Sequence, residues 1–149
     1  MVASTGKTGK GVSFQIDLAG SPVAWVTITN VRSISFTGRA ADEIDMTHLL
    51  STGDYREMIQ GFKDGGTITL ETHFDPTATS HIGTTGILGL FNSGATFSWR
   101  INFSPLWAFG LTGTGFVQNP GDLSIDVDGP ITNSPVVRVT GASSLVAIA

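Results

Sequence analysis

The chain has no cysteine, which removes disulfides, thiolate metal sites and cysteine nucleophiles from consideration. Charge is scarce as well. Asp, Glu, Lys and Arg make up 13% of the residues, against about 25% in ordinary soluble domains. From Pro76 to Gly121 the only formal charge is Arg100. A lone monomer keeps apart from its copies by a charged skin, so this poverty implies a surface partly covered by partners and points to an oligomer. No apolar run approaches the ~20 residues of a membrane span, and MVASTGKTGKG lacks the apolar core of a secretory signal. The expectation is a soluble protein kept in a cytoplasm. The net charge of −4 supplies no basic footprint for gripping nucleic acid.

What is present reads as one domain. At 149 residues the chain is long enough to bury roughly 70% of the surface it exposes when unfolded. Residues 1–11, rich in Gly, Ser, Thr and Lys, read as a flexible N-terminal arm, and residues 12–149 as a single β-rich domain. The arm's GKTGKG is not a phosphate loop: Gly6 and Gly11 have the spacing, but Val12 stands where the lysine belongs. Strand alternation follows at Phe14, Ile16 and Leu18, and Val23 to Thr29 is rich in β-branched residues. It recurs at Ile34 and Phe36, at Ile68, Leu70, Thr72 and Phe74, at Phe97, Trp99, Ile101 and Phe103, and at Leu123, Ile125 and Val127. Leu106 to Val117 is a glycine-interrupted strand or hairpin, Pro135 to Thr140 a last strong strand, and Leu145 to Ala149 an apolar tail. Thr77 to Gly94 breaks the alternation. Ile82, Ile87, Leu90 and Phe91 fit one helical face, with Thr77, Thr79 or Ser80 as cap and Gly94 as stop. The fold class expected is mainly β, an antiparallel sandwich or barrel with one flanking α-helix.

The densest polar chemistry lies between Asp42 and Pro76, which holds eight of the twelve acids together with His48 and His73. Spacing does not make a site of it. Asp42, Glu43 and Asp45 do not share one strand face, and His48, His73 and His81 lack paired-ligand spacing for zinc. Ser124, Asp126, Asp128 and Gly129 imitate the start of a calcium loop, but Pro135 stands where its bidentate glutamate belongs. No serine sits in a G-x-S-x-G context. These residues argue for no enzyme, no metal and no cofactor.

In order along the chain come Ser33-Ile-Ser-Phe36, Glu43-Ile-Asp-Met-Thr47, Tyr55-Arg-Glu-Met-Ile-Gln-Gly61, the Asp64-Gly-Gly66 turn, Phe74-Asp-Pro76, Trp99-Arg-Ile101, Gly115-Phe-Val117 and the strand closing on Thr140-Gly141. In these landmarks the chain resembles the major tail tube proteins of long, flexible-tailed, non-contractile bacteriophages. The resemblance implies a virion structural protein: a β-sandwich subunit in hexameric rings, stacked helically into a tail tube whose lumen conducts DNA during ejection. It also implies assembly in the host cytoplasm and contacts with further copies, the tape measure protein, the tail terminator and baseplate or distal tail proteins. Other readings are the tube of a contractile or type VI secretion-like machine, and a β-sandwich carbohydrate-binding module using Trp25, Trp99 and Trp107. Trp25 and Trp99, however, lie in apolar strands and read as core.

Two sets of site residues follow. Met46, Leu49, Leu50, Tyr55, Met58, Ile59 and Phe62 are too apolar for a free loop and too irregular for a plain strand. They are expected to form an assembly arm that crosses to a neighbouring subunit or ring; the alternative is a loop folded back on its own core. A conduit must not hold DNA, because each phosphate contact from Lys or Arg slows escape. Asp126 and Asp128, opposite the apolar side of their expected strand, are therefore the lumen candidates, with an outer solvated face as the alternative.

Overall fold

A computed structural model describes residues 6–17, 25–83, 86–104 and 106–148. Leu18 and the Gly20-Ser21-Pro22 turn lie outside these residues. The strands β1 (Ser13–Asp17), β2 (Val26–Thr27), β3 (Val31–Thr37), β6 (Thr67–His73), β7 (Phe97–Asn102), β8 (Phe109–Asn119), β9 (Leu123–Ser124), β10 (Thr132–Asn133) and β11 (Val136–Ala147) form one antiparallel sheet. Among the described residues β4 (Ala40–Asp45) and β5 (Met58–Asp64) pair only with each other, as a separate hairpin.

The large sheet runs β2-β1-β7-β8-β11-β6. One edge of β6 serves both β11, through Thr67 to Thr69, and β10, through Thr72 and His73. β3 pairs along Thr67 to Thr72 and so takes the other edge. The period-2 pattern decides which side is buried. Phe14 and Ile16, Phe97, Trp99 and Ile101, Ile68 and Leu70, and Val117, Val137 and Val139 all lie in the core. Trp99 is its centre, stacked on Phe14 with centroids 6.5 Å apart and edge-on to Phe36 at 5.5 Å. Its Nε1–H donates to the Thr114 carbonyl at 3.2 Å. Gly113, opposite Trp99 across the β7–β8 pair, is what admits the indole: a Cβ there would stand 2.8 Å from the ring.

The predicted helical segment is present but split into α1 (Thr79–Ile82) and α2 (Ile87–Ser93). Gly83 and Gly86 flank the break, and glycine is the residue a helix interior tolerates least after proline. The single apolar face is therefore interrupted: Ile87 and Leu90 are buried, whereas Ile82 and Phe91 are exposed. Ala78, not a threonine or serine, stands at the first N-cap. Thr77 is occupied instead with Asp75, to which its N–H and hydroxyl both donate. Gly94 ends the segment at φ 69°, its N–H on the Leu90 carbonyl, as expected of a left-handed C-cap.

Two further expectations are corrected. β11 does not stop near Thr140. A register shift between Thr140 and Ser144, with Gly141 at φ 76°, lets the strand continue, so the apolar tail pairs with Phe109 to Thr112. Conversely, the strand expected through Leu123 to Asp128 ends at Ser124; among the described residues no strand pairs with the next ones, and Val127 is 96% exposed. The alternation that gave Asp126 and Asp128 a common strand face is absent, and both are exposed, Asp128 in a turn and Asp126 just before it.

Candidate assembly surfaces

The β4–β5 hairpin is the first surface. Its ladder pairs Glu43 with Gln60, Ile44 with Ile59 and Asp45 with Met58 after a bulge near Asp42. Side chains on adjacent strand positions point to opposite faces, so Ile44 and Ile59 lie on one side and Met58 on the other. The apolar residues thus cover both faces, and neither face is buried. Met46, Met58 and Ile59 are about half exposed, Leu50 and Tyr55 more so; Phe62 is 91% and Leu49 103% exposed. An isolated two-stranded hairpin is marginal in water, and this one, with large apolar residues exposed on both sides, has no sheet partner among the described residues. The structure brings all seven arm candidates onto this one projection.

The tip is ordered by its own hydrogen bonds. The Met46 N–H donates to the Glu57 carbonyl at 2.7 Å, and the Glu57 N–H to the Thr47 hydroxyl at 2.9 Å. His48 and Ser51 bond reciprocally at 3.0 and 2.9 Å, and the Leu50 N–H donates to His48 Nδ1 at 3.1 Å. The other nitrogen of His48 lies 3.6 Å from the Glu57 carboxylate. Thr47, by its side chain first and its N–H second, holds the Asp45 carboxyl below the usual carboxylate range.

The root is tied to the large sheet. Arg138 on β11 donates to both oxygens of Asp64 at 2.8 Å, and the Gly66 N–H donates to one of them at 2.9 Å. Gly66, at φ 88°, turns the chain into β6 where a Cβ would meet the Thr37 carbonyl at 2.5 Å. Arg138 foremost, then Gly66, hold the Asp64 carboxyl below the usual range. A carboxylate favoured by folding contributes above its unfolded pKa and loses that contribution as pH falls through the lowered folded value. The root should therefore stay fixed at neutral and mildly acid pH and loosen only below about pH 4. The Gly66 amide resonance, followed by NMR in a pH titration, reports this, and Arg138→Ala should produce the loosened spectrum at pH 7.

The second surface is the outer face of the large sheet. Register places Gln15, Arg100, Thr112 and Ser144 in one row across four strands. Ser98, Thr114 and Thr140 form another, and Phe116, Arg138, Thr67 and Thr37 a third. Hydroxyls dominate this face, with Phe116 and Val136 as partly buried apolar members. Arg138 and Arg100 on this face are engaged. Arg138 is bound by Asp64; Arg100 donates through Nε and Nη2 to Gln15 Oε1 at 2.9 and 2.5 Å and lies 4.5 Å over the Trp25 ring. Sequence reasoning did not single out this face. Its signal was the Ser/Thr half of the period-2 pattern in β3, β6 and β8, which reads as ordinary solvent exposure.

The remaining candidates disperse. His48 is at the hairpin tip, His73 at the end of β6, and His81 is buried in α1 with Nε2 donating to the Thr29 carbonyl at 2.8 Å. Among the described residues no three histidines or acids gather as metal ligands. Trp99 is fully buried, Trp25 is partly buried under Arg100, and Trp107 has the Lys7 ammonium 4.8 Å above its ring. Each indole thus has a face already in use.

Comparison with known proteins agrees with this architecture. Residues 7–113 match the model of a family described as phage tail tube, TTP, lambda-like. The tail subunit of an empty gene transfer agent particle, solved with C6 symmetry, superimposes with a TM-score of 0.74 at 21% identity, covering 95% of this chain and all of that one. The SPP1 tail tube gives 0.64 at 12% identity, over 94% of this chain and 78% of that one. A sheath–tube complex of an extracellular contractile injection system gives 0.64 at 12%, over 92% and 88%. No curated protein sequence matches the chain.

Proposed function

Since the chain belongs to the lambda-like phage tail tube family, we propose that it is the repeating subunit of rings that stack into a tube, whose lumen conducts DNA out of the virion. The carrying observation is the β4–β5 hairpin, whose apolar residues are solvated in the single subunit and find no cover among the described residues, which favours burial against another copy. Burying a Leu or Phe side chain contributes about 1.5–3 kcal/mol, so Leu49, Leu50 and Phe62 supply a strong assembly drive.

The hydroxyl face is the wall assigned to the lumen. Free Lys and Arg would retain phosphates; here Arg138 already has a carboxylate and Arg100 an amide and an indole face. Nothing in this assignment rests on Asp126 and Asp128. The six-fold symmetry of the gene transfer agent tail supports hexameric rings. The role is scaffolding without catalysis, in a virion tail put together in the host cytoplasm, with the tape measure, terminator and distal tail proteins as neighbours. Of the proposed arm at residues 1–11, residues 1–5 lie outside the described residues; within the rest Lys7 donates at 2.7 Å to the Leu106 carbonyl of the proposed domain at residues 12–149. The fold likeness extends to a contractile sheath–tube complex, and a tube inside a sheath is the second reading.

Electron microscopy of the purified protein at high concentration tests the proposal. Hollow tubes of stacked rings are expected. Dispersed monomers at every concentration would refute it, and rings that elongate only when a sheath protein is added would favour the second reading.

A further inference from the structure

Between β3, the segment at residues 9–12 and the neighbouring parts of β7 and β8, the sheet leaves an open groove of about 790 Å³. Val31, Ile34, Phe103 and Leu111 give it an apolar lining, while Lys10, Arg32 and Arg39 contribute cations; no acid lines it. β3, along one side, pairs with a single strand among the described residues, so its other edge offers unpaired backbone groups. The cations have only light engagements at home. Arg32 lies 4.0 Å from Glu71, with both side chains about half exposed or more, and Arg39 lies 4.4 Å over the Phe36 ring.

The hairpin has the complementary character. From Asp42 to Glu57 it carries Asp42, Glu43, Asp45, Asp54 and Glu57 against one arginine, Arg56, interleaved with solvated Leu49, Leu50 and Tyr55. It cannot fill its own groove. Arg39, at the groove, immediately precedes β4, whose residues Ala40–Asp45 at ~3.3 Å each carry the tip roughly 20 Å away. We propose that the groove receives the β4–β5 tip of a second copy, with Leu49, Leu50 and Tyr55 against the apolar lining and the tip's acids against Lys10, Arg32 and Arg39. This assignment rests on the reading of the hairpin as the assembly arm and names the surface that accepts it. The contact is heterologous, groove to tip, so each copy can give one and take one, which is the condition for a ring or a filament.

The absence of cysteine makes the test direct. Full-length L50C and V31C proteins are mixed under assembling conditions and oxidised; Val31 lines the groove. A disulfide needs Cα atoms within about 7 Å, so a cross-linked L50C–V31C dimer is expected, and none between L50C and T140C on the hydroxyl face. In parallel, R32E/R39E should raise the concentration needed for assembly about tenfold or more while circular dichroism and Tm show a folded monomer. Adding D54K/E57K to the same chain should restore assembly. Assembled particles with no L50C–V31C link and no charge-swap rescue overturn the groove assignment. Loss of the arm reading itself looks different: assembly would then survive removal of the hairpin tip.

Discussion

Deleting residues 49–56 is expected to abolish polymerisation and leave a folded monomer. The expectation follows from where the segment's interactions go. None of the deleted residues belongs to the buried core, which is built from β1, β3, β6 to β8, β11 and α2. Their hydrogen bonds are local to the tip. Closing the shortened hairpin with a tight turn should cost the monomer little, since surface changes usually stay within about ±0.5 kcal/mol. Assembly loses Leu49, Leu50 and Tyr55 together, at about 1.5–3 kcal/mol each. A factor of ten in an equilibrium constant is about 1.4 kcal/mol, so each contact weakens by several orders of magnitude. Sedimentation of the variant beside wild type, with matched thermal melts, makes the comparison. Tubes formed by the deleted protein would contradict the arm reading; a monomer that no longer melts cooperatively would show that the tip supports its own domain.

Trp99→Ala should produce the opposite separation, loss of the fold with assembly failing only in consequence. Trp99 is fully buried, contacts the rings of Phe14 and Phe36, and faces a glycine whose missing side chain makes its room. Truncating a buried tryptophan costs about 3–5 kcal/mol, a large share of the 5–15 kcal/mol that holds a domain of this size together. The space cannot be refilled from β8, because Gly113 has nothing to move into it. The loss of the indole N–H bond to the Thr114 carbonyl adds to the cost. Denaturant unfolding should show a much lower midpoint, and assembly at 37 °C should fail along with the near-UV signal.

How far the chain could be read without coordinates depended on the distance over which each decision is made. Alternation at Thr67 to His73 and Phe97 to Asn102 is a local property of half-buried strands, and both strands lie where the pattern put them. The left-handed stop at Gly94 is equally local. Leu123 to Val127 carries the same alternation, yet β9 ends at Ser124, because a strand also needs a neighbour, which no local pattern records. Gly141 misled in the other sense: a glycine that signals a stop is also the residue a bulge requires. The seven residues proposed as the arm stand out in composition, as too many apolar side chains among charges. That they stand on a hairpin held apart from the sheet was not legible, since Arg138 fastens Asp64 across 74 positions of sequence. The hydroxyl face was hidden for a plainer reason: threonine and serine at every second position look the same whether they meet bulk water or an enclosed channel.

The hydrogen-bonded tip has a consequence for the entropy of joining. Fixing one residue's backbone costs roughly 1–2 kcal/mol, so ordering a disordered loop of about ten residues at the moment of contact would cost on the order of 10–20 kcal/mol. That exceeds what Leu49, Leu50 and Tyr55 return on burial, about 1.5–3 kcal/mol apiece. A floppy arm with the same apolar residues would be a poor joint. Because Thr47, His48, Ser51 and Glu57 already hold the loop in shape in the single subunit, most of that ordering is done during folding, once, and docking of the proposed arm would draw almost undiminished on the burial itself.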